Sequence, residues 1–202
     1  MKHASSSSHR KEVSFIQADV FTDRPFAGNP LAIVPDGAGL ESEEMQAIAR
    51  EMNLSETTFV LPPSDPKADF RLRIFTPASE VPLAGHPVVG TFFVLARRGR
   101  VTVREGVNRI HQQCGAGILP VDIIVEDGEV QQVVMTQAPP RFHDLCDDTG
   151  LLARALGIAP DRICPDRLPA QVVSTGLPQL MVPAASIADL QGIQLDLAAL
   201  RK

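Results

Sequence analysis

The stretch Ala84-Gly85-His86-Pro87-Val88-Val89-Gly90-Thr91-Phe92-Phe93-Val94-Leu95-Ala96-Arg97-Arg98-Gly99 decides how the rest of the chain must fold. Its pattern predicts a helix over 87–98. Pro87 suits the first helical position, where its missing N–H costs nothing. Gly99 suits the residue just past the end, and Arg97 and Arg98 complement the carbonyl end of the dipole. Val88, Val89, Phe92, Phe93, Val94, Leu95 and Ala96 leave no polar face. A helix that is apolar all round either spans a membrane or is wrapped by other structure. Crossing a bilayer takes about 20 apolar residues, and this run is far shorter. The expectation is a central helix surrounded by sheet.

The start of that helix carries the chemical interest. Gly85 lets backbone come close to a ligand. The free N–H groups of a first turn, at the positive end of the dipole, suit a carboxylate or a phosphate. His86 sits at that mouth. An ordinary helix start with an internally satisfied histidine fits the same residues, and the sequence leaves both readings open.

Toward the N-terminus, Val13 to Phe21 has strand character, with Ile16, Ala18 and Val20 on one face. Residues 22–30 contain Pro25, Gly28, Asn29 and Pro30 and form a loop. Leu31 to Val34 is a short buried strand. Ser42 can cap a helix whose first turn holds Glu43 and Glu44 and whose core face is Met45, Ile48, Ala49 and Met52, ended by Asn53. Leu54 to Leu61 follows as a strand with Glu56 at its start. A carboxylate entering an apolar strand is a mild anomaly, and most such residues are solvated edge positions. Phe70, Leu72 and Ile74 alternate with Arg71 and Arg73, a strand with one wet face. Residues 76–84 lead into the helix as a loop.

Toward the C-terminus the pattern turns to strand: Val101 to Val103, Val107 to Gln113, and Ile118 to Glu126. Asp127-Gly128 then turns the chain into Val130 to Gln137, a hairpin signal. Pro139-Pro140 breaks the sheet. Leu151 to Leu156 is helical and stops at Gly157, Gln171 to Ser174 and Leu180 to Val182 are strands, and the last dozen residues suit two short helices. The fold class is α+β.

The totals exclude several classes. The chain has 202 residues, 44% hydrophobic and 21% charged, with a net charge of -5 and neither Trp nor Tyr. Nucleic-acid binding wants a basic face and stacking aromatics, and both are thin here. No apolar run approaches membrane length. Residues 1–12 have no apolar core, so they are expected to be a disordered tail rather than a secretory signal. Cys114, Cys146 and Cys164 are odd in number and widely spaced, which suits free thiols in a cytoplasmic protein better than a disulfide framework or a zinc site.

Several of these stretches together resemble the phenazine-biosynthesis PhzF-like family, relatives of diaminopimelate epimerase. The matching residues are Asp19-Val20-Phe21, Gly28-Asn29-Pro30-Leu31-Ala32, Asn53-Leu54-Ser55-Glu56-Thr57-Thr58-Phe59, Phe75-Thr76-Pro77 and Ala84-Gly85-His86-Pro87 with Gly90-Thr91, in the family's order. The resemblance implies two similar domains, each a sheet curled round a central helix, here 13–117 and a partial second one at 118–202. It implies a cofactor-independent isomerase or epimerase that binds no metal and moves a proton on a small carboxylic acid. Glu56 then matches the acid-base carboxylate. Asn29, Gly85, His86 and Pro87 match positions that meet the substrate. Diaminopimelate epimerase and proline racemase place a cysteine where Gly85 stands, so a single-carboxylate proton shift is preferred over a two-thiol mechanism.

The family's second domain carries a stretch resembling Asp-Pro-Ala-Thr-Gly-Ser, which these residues lack. The resemblance therefore implies a C-terminally truncated member with impaired activity, expected to associate with further copies of itself. The competing expectation is a non-catalytic binding or interaction protein derived from such an enzyme.

Overall fold

The computed structural model describes residues 11–137 and 139–201. The chain divides after Thr136 into two compact units. In the first unit, β1 (Ile16–Val20) and β2 (Asn29–Val34) lead through α1 (Ser42–Met52) to β3 (Glu56–Leu61), β4 (Phe70–Phe75) and the two-residue β5 (Glu80–Val81). Then come α2 (Gly85–Arg97), β6 (Gly106–Cys114), β7 (Gly117–Glu126) and β8 (Glu129–Met135).

The strands form one sheet in the order β1-β2-β3-β4-β6-β7-β8, with β5 on the side of β4. Only β2–β3 and β4–β6 are parallel. Parallel neighbours need a crossover, and α1 and α2 supply them. The sheet curls around α2, whose Val88, Phe92 and Leu95 are buried against Leu72, Ile74, Ile110, Val121 and Ile123. That is the wrapped helix its composition demanded.

The other face of β2–β4 is covered by α1, where Met45 and Ala49 meet Val34, Phe59 and Phe75. β2 and β3 are therefore buried on both sides, which explains their near-continuous apolar runs. Two of the buried polar side chains, Thr58 and Thr91, satisfy each other, their Oγ1 atoms lying 2.8 Å apart.

Helix α2 begins two residues earlier than expected, so Pro87 is its third residue and Gly85 its first. A proline is tolerated anywhere in the first turn, and its presence does not identify which position it takes. The far end is as expected. Gly99 has φ +69°, its N–H donates to the Ala96 carbonyl and the Arg100 N–H to the Leu95 carbonyl, a Schellman closure. In α1 the cap is Glu41 rather than Ser42, its N–H held by the Glu44 carboxylate at 2.8 Å. Asn53 closes that helix with φ 51°. Residues 101–103 form no strand. Val101 is buried in the core all the same, which is what its apolarity recorded.

The expected domain boundary between residues 117 and 118 falls inside β7, which pairs along its length with β6 and β8. Gly115 and Gly117, next to that boundary, belong to the hairpin turn between β6 and β7, and a turn and a linker share composition. Residues 1–10 of the expected N-terminal tail lie outside the described residues.

The second unit holds β9 (Arg141–Cys146), α3 (Thr149–Leu156), β10 (Ala170–Ser174), β11 (Pro178–Met181) and α4 (Ile187–Gln191). Its three strands pair in the order β11-β10-β9. β9 was not expected from the sequence, and α4 ends where the last dozen residues begin, so neither of the two short helices expected there forms among the described residues. A small core joins Leu152, Ala153, Ile158, Ile163 and Ala170. Among the described residues, no helix is long and apolar enough to cross a membrane.

Candidate active site

Three chain starts meet at one end of the first unit. β2 and β3 run parallel with Leu31 beside Glu56, so Asn29 and Glu56 open their strands on the same edge of the molecule. The left-handed Asn53 turns the chain out of α1 and straight into β3, which places Ser55 and Glu56 there. The start of α2 completes the group.

Glu56 Oε2 and His86 Nε2 lie 3.3 Å apart, with side-chain exposures of 19% and 9%. The distance suits a hydrogen bond but the angle does not, and both atoms are buried without a hydrogen-bond partner. A buried orphan polar atom costs about 1–3 kcal/mol, so two facing each other mark a place prepared for something else. The far side of the ring is held: His86 Nδ1 lies 3.1 Å from Asn29 Nδ2, and Asn29 Oδ1 accepts from Ser55 Oγ at 2.9 Å. Burial holds the His86 imidazolium below its ordinary range of about 6.5, opposed by the Glu56 charge and by the Pro30 carbonyl.

No side chain caps α2, so the N–H groups of its start keep their capacity for an anion. The place of a Cβ on Gly85 is open, with no atom within 4 Å. Pro87 is buried and has no N–H to offer. Chemically, the group unites a carboxylate, an imidazole held near neutrality and an uncapped helix start. It can take a proton from a carbon acid and stabilise the resulting negative charge.

Of the expected site residues, Glu56, His86 and Asn29 come together, and Gly85 opens the same helix. Asn29 does so through His86. Ser55 is the member that sequence reasoning left without a role. Its place directly before Glu56, in a run that must turn from helix to strand, was the available signal.

A family model described as phenazine biosynthesis-like protein matches residues 18–202. An uncharacterized isomerase from Mesorhizobium japonicum is 39% identical over 183 residues, covering 91% of this chain and 60% of its own length. The trans-2,3-dihydro-3-hydroxyanthranilate isomerase of Pseudomonas aeruginosa is 37% identical over 186 residues, covering 92% and 62%. The crystal structure of a Bacillus anthracis phenazine biosynthesis protein of the PhzF family superposes with a TM-score of 0.79 at 35% identity, over 93% of this chain and 60% of that one. The chain thus spans about three fifths of the length of the relatives it matches.

Proposed function

Because the chain belongs to the phenazine biosynthesis-like family, we propose that it works as a cofactor-independent isomerase of a small, unsaturated carboxylic acid. The observation that carries this reading is the buried, mutually unpartnered Glu56–His86 pair beside an uncapped helix start. The Glu56 carboxylate takes a proton from carbon, and the electron pair left behind moves into the conjugated acid. Charge that builds on the substrate's carboxylate meets the N–H groups of α2, Gly85 among them, and the His86 ring. Glu56 then returns the proton to a second carbon. The double bond has moved and the atoms and electrons balance, so the step calls for no redox partner.

The curated isomerase from Pseudomonas aeruginosa suggests trans-2,3-dihydro-3-hydroxyanthranilate as the first compound to test. The experiment is solvent deuterium uptake into that acid and a panel of related carboxylic acids, followed by mass spectrometry. The expected result is uptake by the wild type and a loss of at least about 100-fold in Glu56→Gln, the size of a general-base contribution. Uptake that survives unchanged in Glu56→Gln overturns the role given to Glu56.

A further inference from the structure

We propose that Asn29 is a positioning residue that fixes the tautomer of His86, keeping Nδ1 bare and the hydrogen on Nε2, toward Glu56. The catalytic consequence rests on the isomerase reading above; the geometry does not.

The argument starts from the amide. Asn29 faces solvent, and an exposed amide with one partner turns over freely. This one has two. Its Oδ1 accepts the Ser55 hydroxyl at 2.9 Å and its Nδ2 faces His86 Nδ1 at 3.1 Å. The hydroxyl of Ser55 has a second acceptor within reach, the Pro30 carbonyl, but at 3.4 Å. A hydroxyl hydrogen favours the nearer acceptor, and that choice leaves the NH₂ end of Asn29 to donate to the ring. Nδ1 must then present a lone pair.

A second contact leads to the same tautomer. Nε2 lies 3.3 Å from Glu56 Oε2. The contact is not a hydrogen bond, but at that distance a bare Nε2 would still set a lone pair near the carboxylate charge, whereas an N–H puts opposite partial charge on that side of the ring. Both sides of the ring therefore agree, and they agree for different reasons. The competing arrangement is specific. Were Asn29 turned over, Ser55 would donate to Pro30, and His86 would donate from Nδ1 to Asn29 Oδ1 or to the Pro30 carbonyl beside it.

The arrangement divides the chemistry. With its hydrogen on Nε2, His86 is the donor of the site and leaves Glu56 as the base. With Nδ1–H it would offer a second base where a donor is needed.

Nitrogen-15 correlation spectra of labelled wild-type protein, at a pH where imidazoles are neutral, read the tautomer directly. The His86 signals are assigned by their loss in His86→Gln. The expected wild-type pattern is a pyridine-type Nδ1 and a pyrrole-type Nε2. In Asn29→Asp both side-chain oxygens accept, so Nδ1 is expected to become pyrrole-type. Ser55→Ala should mix the two patterns, and Ser55→Thr, which keeps the hydroxyl, should restore the first. A pyrrole-type Nδ1 in the wild type overturns the proposal, as does a pyridine-type Nδ1 that persists in Asn29→Asp. The spectra need no turnover, so a wrong tautomer and a failure of the isomerase reading are told apart. Where exchange is measurable, Asn29→Asp is expected to slow it about 10- to 100-fold.

Discussion

His86 is buried while its partner is a carboxylate, and those two facts oppose each other. Burial disfavours the imidazolium and wins; the Glu56 charge and the Pro30 carbonyl recover part of the loss. The imidazole should titrate below about 6.5 by NMR, and Glu56→Gln should push its midpoint lower still, because the charge that favoured protonation is gone. A midpoint that rises in that variant would contradict the assignment of cause. The same depression has a sign for stability. The unfolded chain takes up this proton first, so the contribution of His86 is complete above about 6.5 and is lost as pH falls from there through the folded value. At this scale Glu56 and His86 were legible as residue types out of place, a carboxylate opening an apolar strand and a histidine at a helix mouth. Their 3.3 Å meeting was not, since thirty residues of chain separate them.

Helix α2 was legible apart from its start, which lies two residues earlier than expected, because a helix with no polar face has few places to go. Its packing makes two predictions. A Cβ on Gly90 would stand 2.5 Å from Val20 Cγ2 and 2.9 Å from Leu31 Cδ2. Alanine is worth up to about 1 kcal/mol over glycine in a helix, but overpacking of this kind costs about 1–3 kcal/mol. Gly90→Ala should therefore destabilise on balance, by about 1 kcal/mol. Phe92 is fully buried in the same core, and Phe92→Ala should cost about 3–5 kcal/mol. Both are read from the midpoint of urea unfolding followed by circular dichroism, since the chain has no Trp or Tyr to report by fluorescence. An unchanged or raised midpoint for Gly90→Ala would mean that Val20 and Leu31 give way. Elements held by tertiary contacts were less legible. β9 went unseen because nearly all of it is exposed and its sequence, Arg141 to Cys146, lacks strand alternation.

The first unit carries three of the described core clusters, around α2, beneath α1, and between β1 and β2. A fragment ending at Thr136 should keep a β-sheet dichroism spectrum and unfold in one cooperative step. A non-cooperative melt would mean that the core of this unit depends on residues after 136. The second unit is built differently. Phe142, Leu145 and Met181 are exposed on one face of its small sheet, opposite or beside Gln171 and Val173, and apolar surface of this kind seeks cover. We expect the chain to associate with further copies of itself, weight-average mass rising with concentration in light scattering, and Phe142→Ser with Met181→Ser to weaken that rise. A single monomeric mass across the whole range would refute this.

Sequence alone determined that α2 must be central, that strands precede and follow it, and that Gly99, Asn53 and Asp127-Gly128 end their elements, because hydrophobic periodicity and positive φ are local properties. The same holds for the family motifs, which are strings of neighbours. Only tertiary structure decided that β7 and β8 belong to the first unit's sheet. It alone decided that Asn29 lies between Ser55 and the His86 ring, and that Glu56 faces the other side of that ring. Those outcomes depend on strand register and on the direction of side chains brought together across the sheet. No spacing along the chain encodes a distance between two residues that meet only when the sheet closes around its helix.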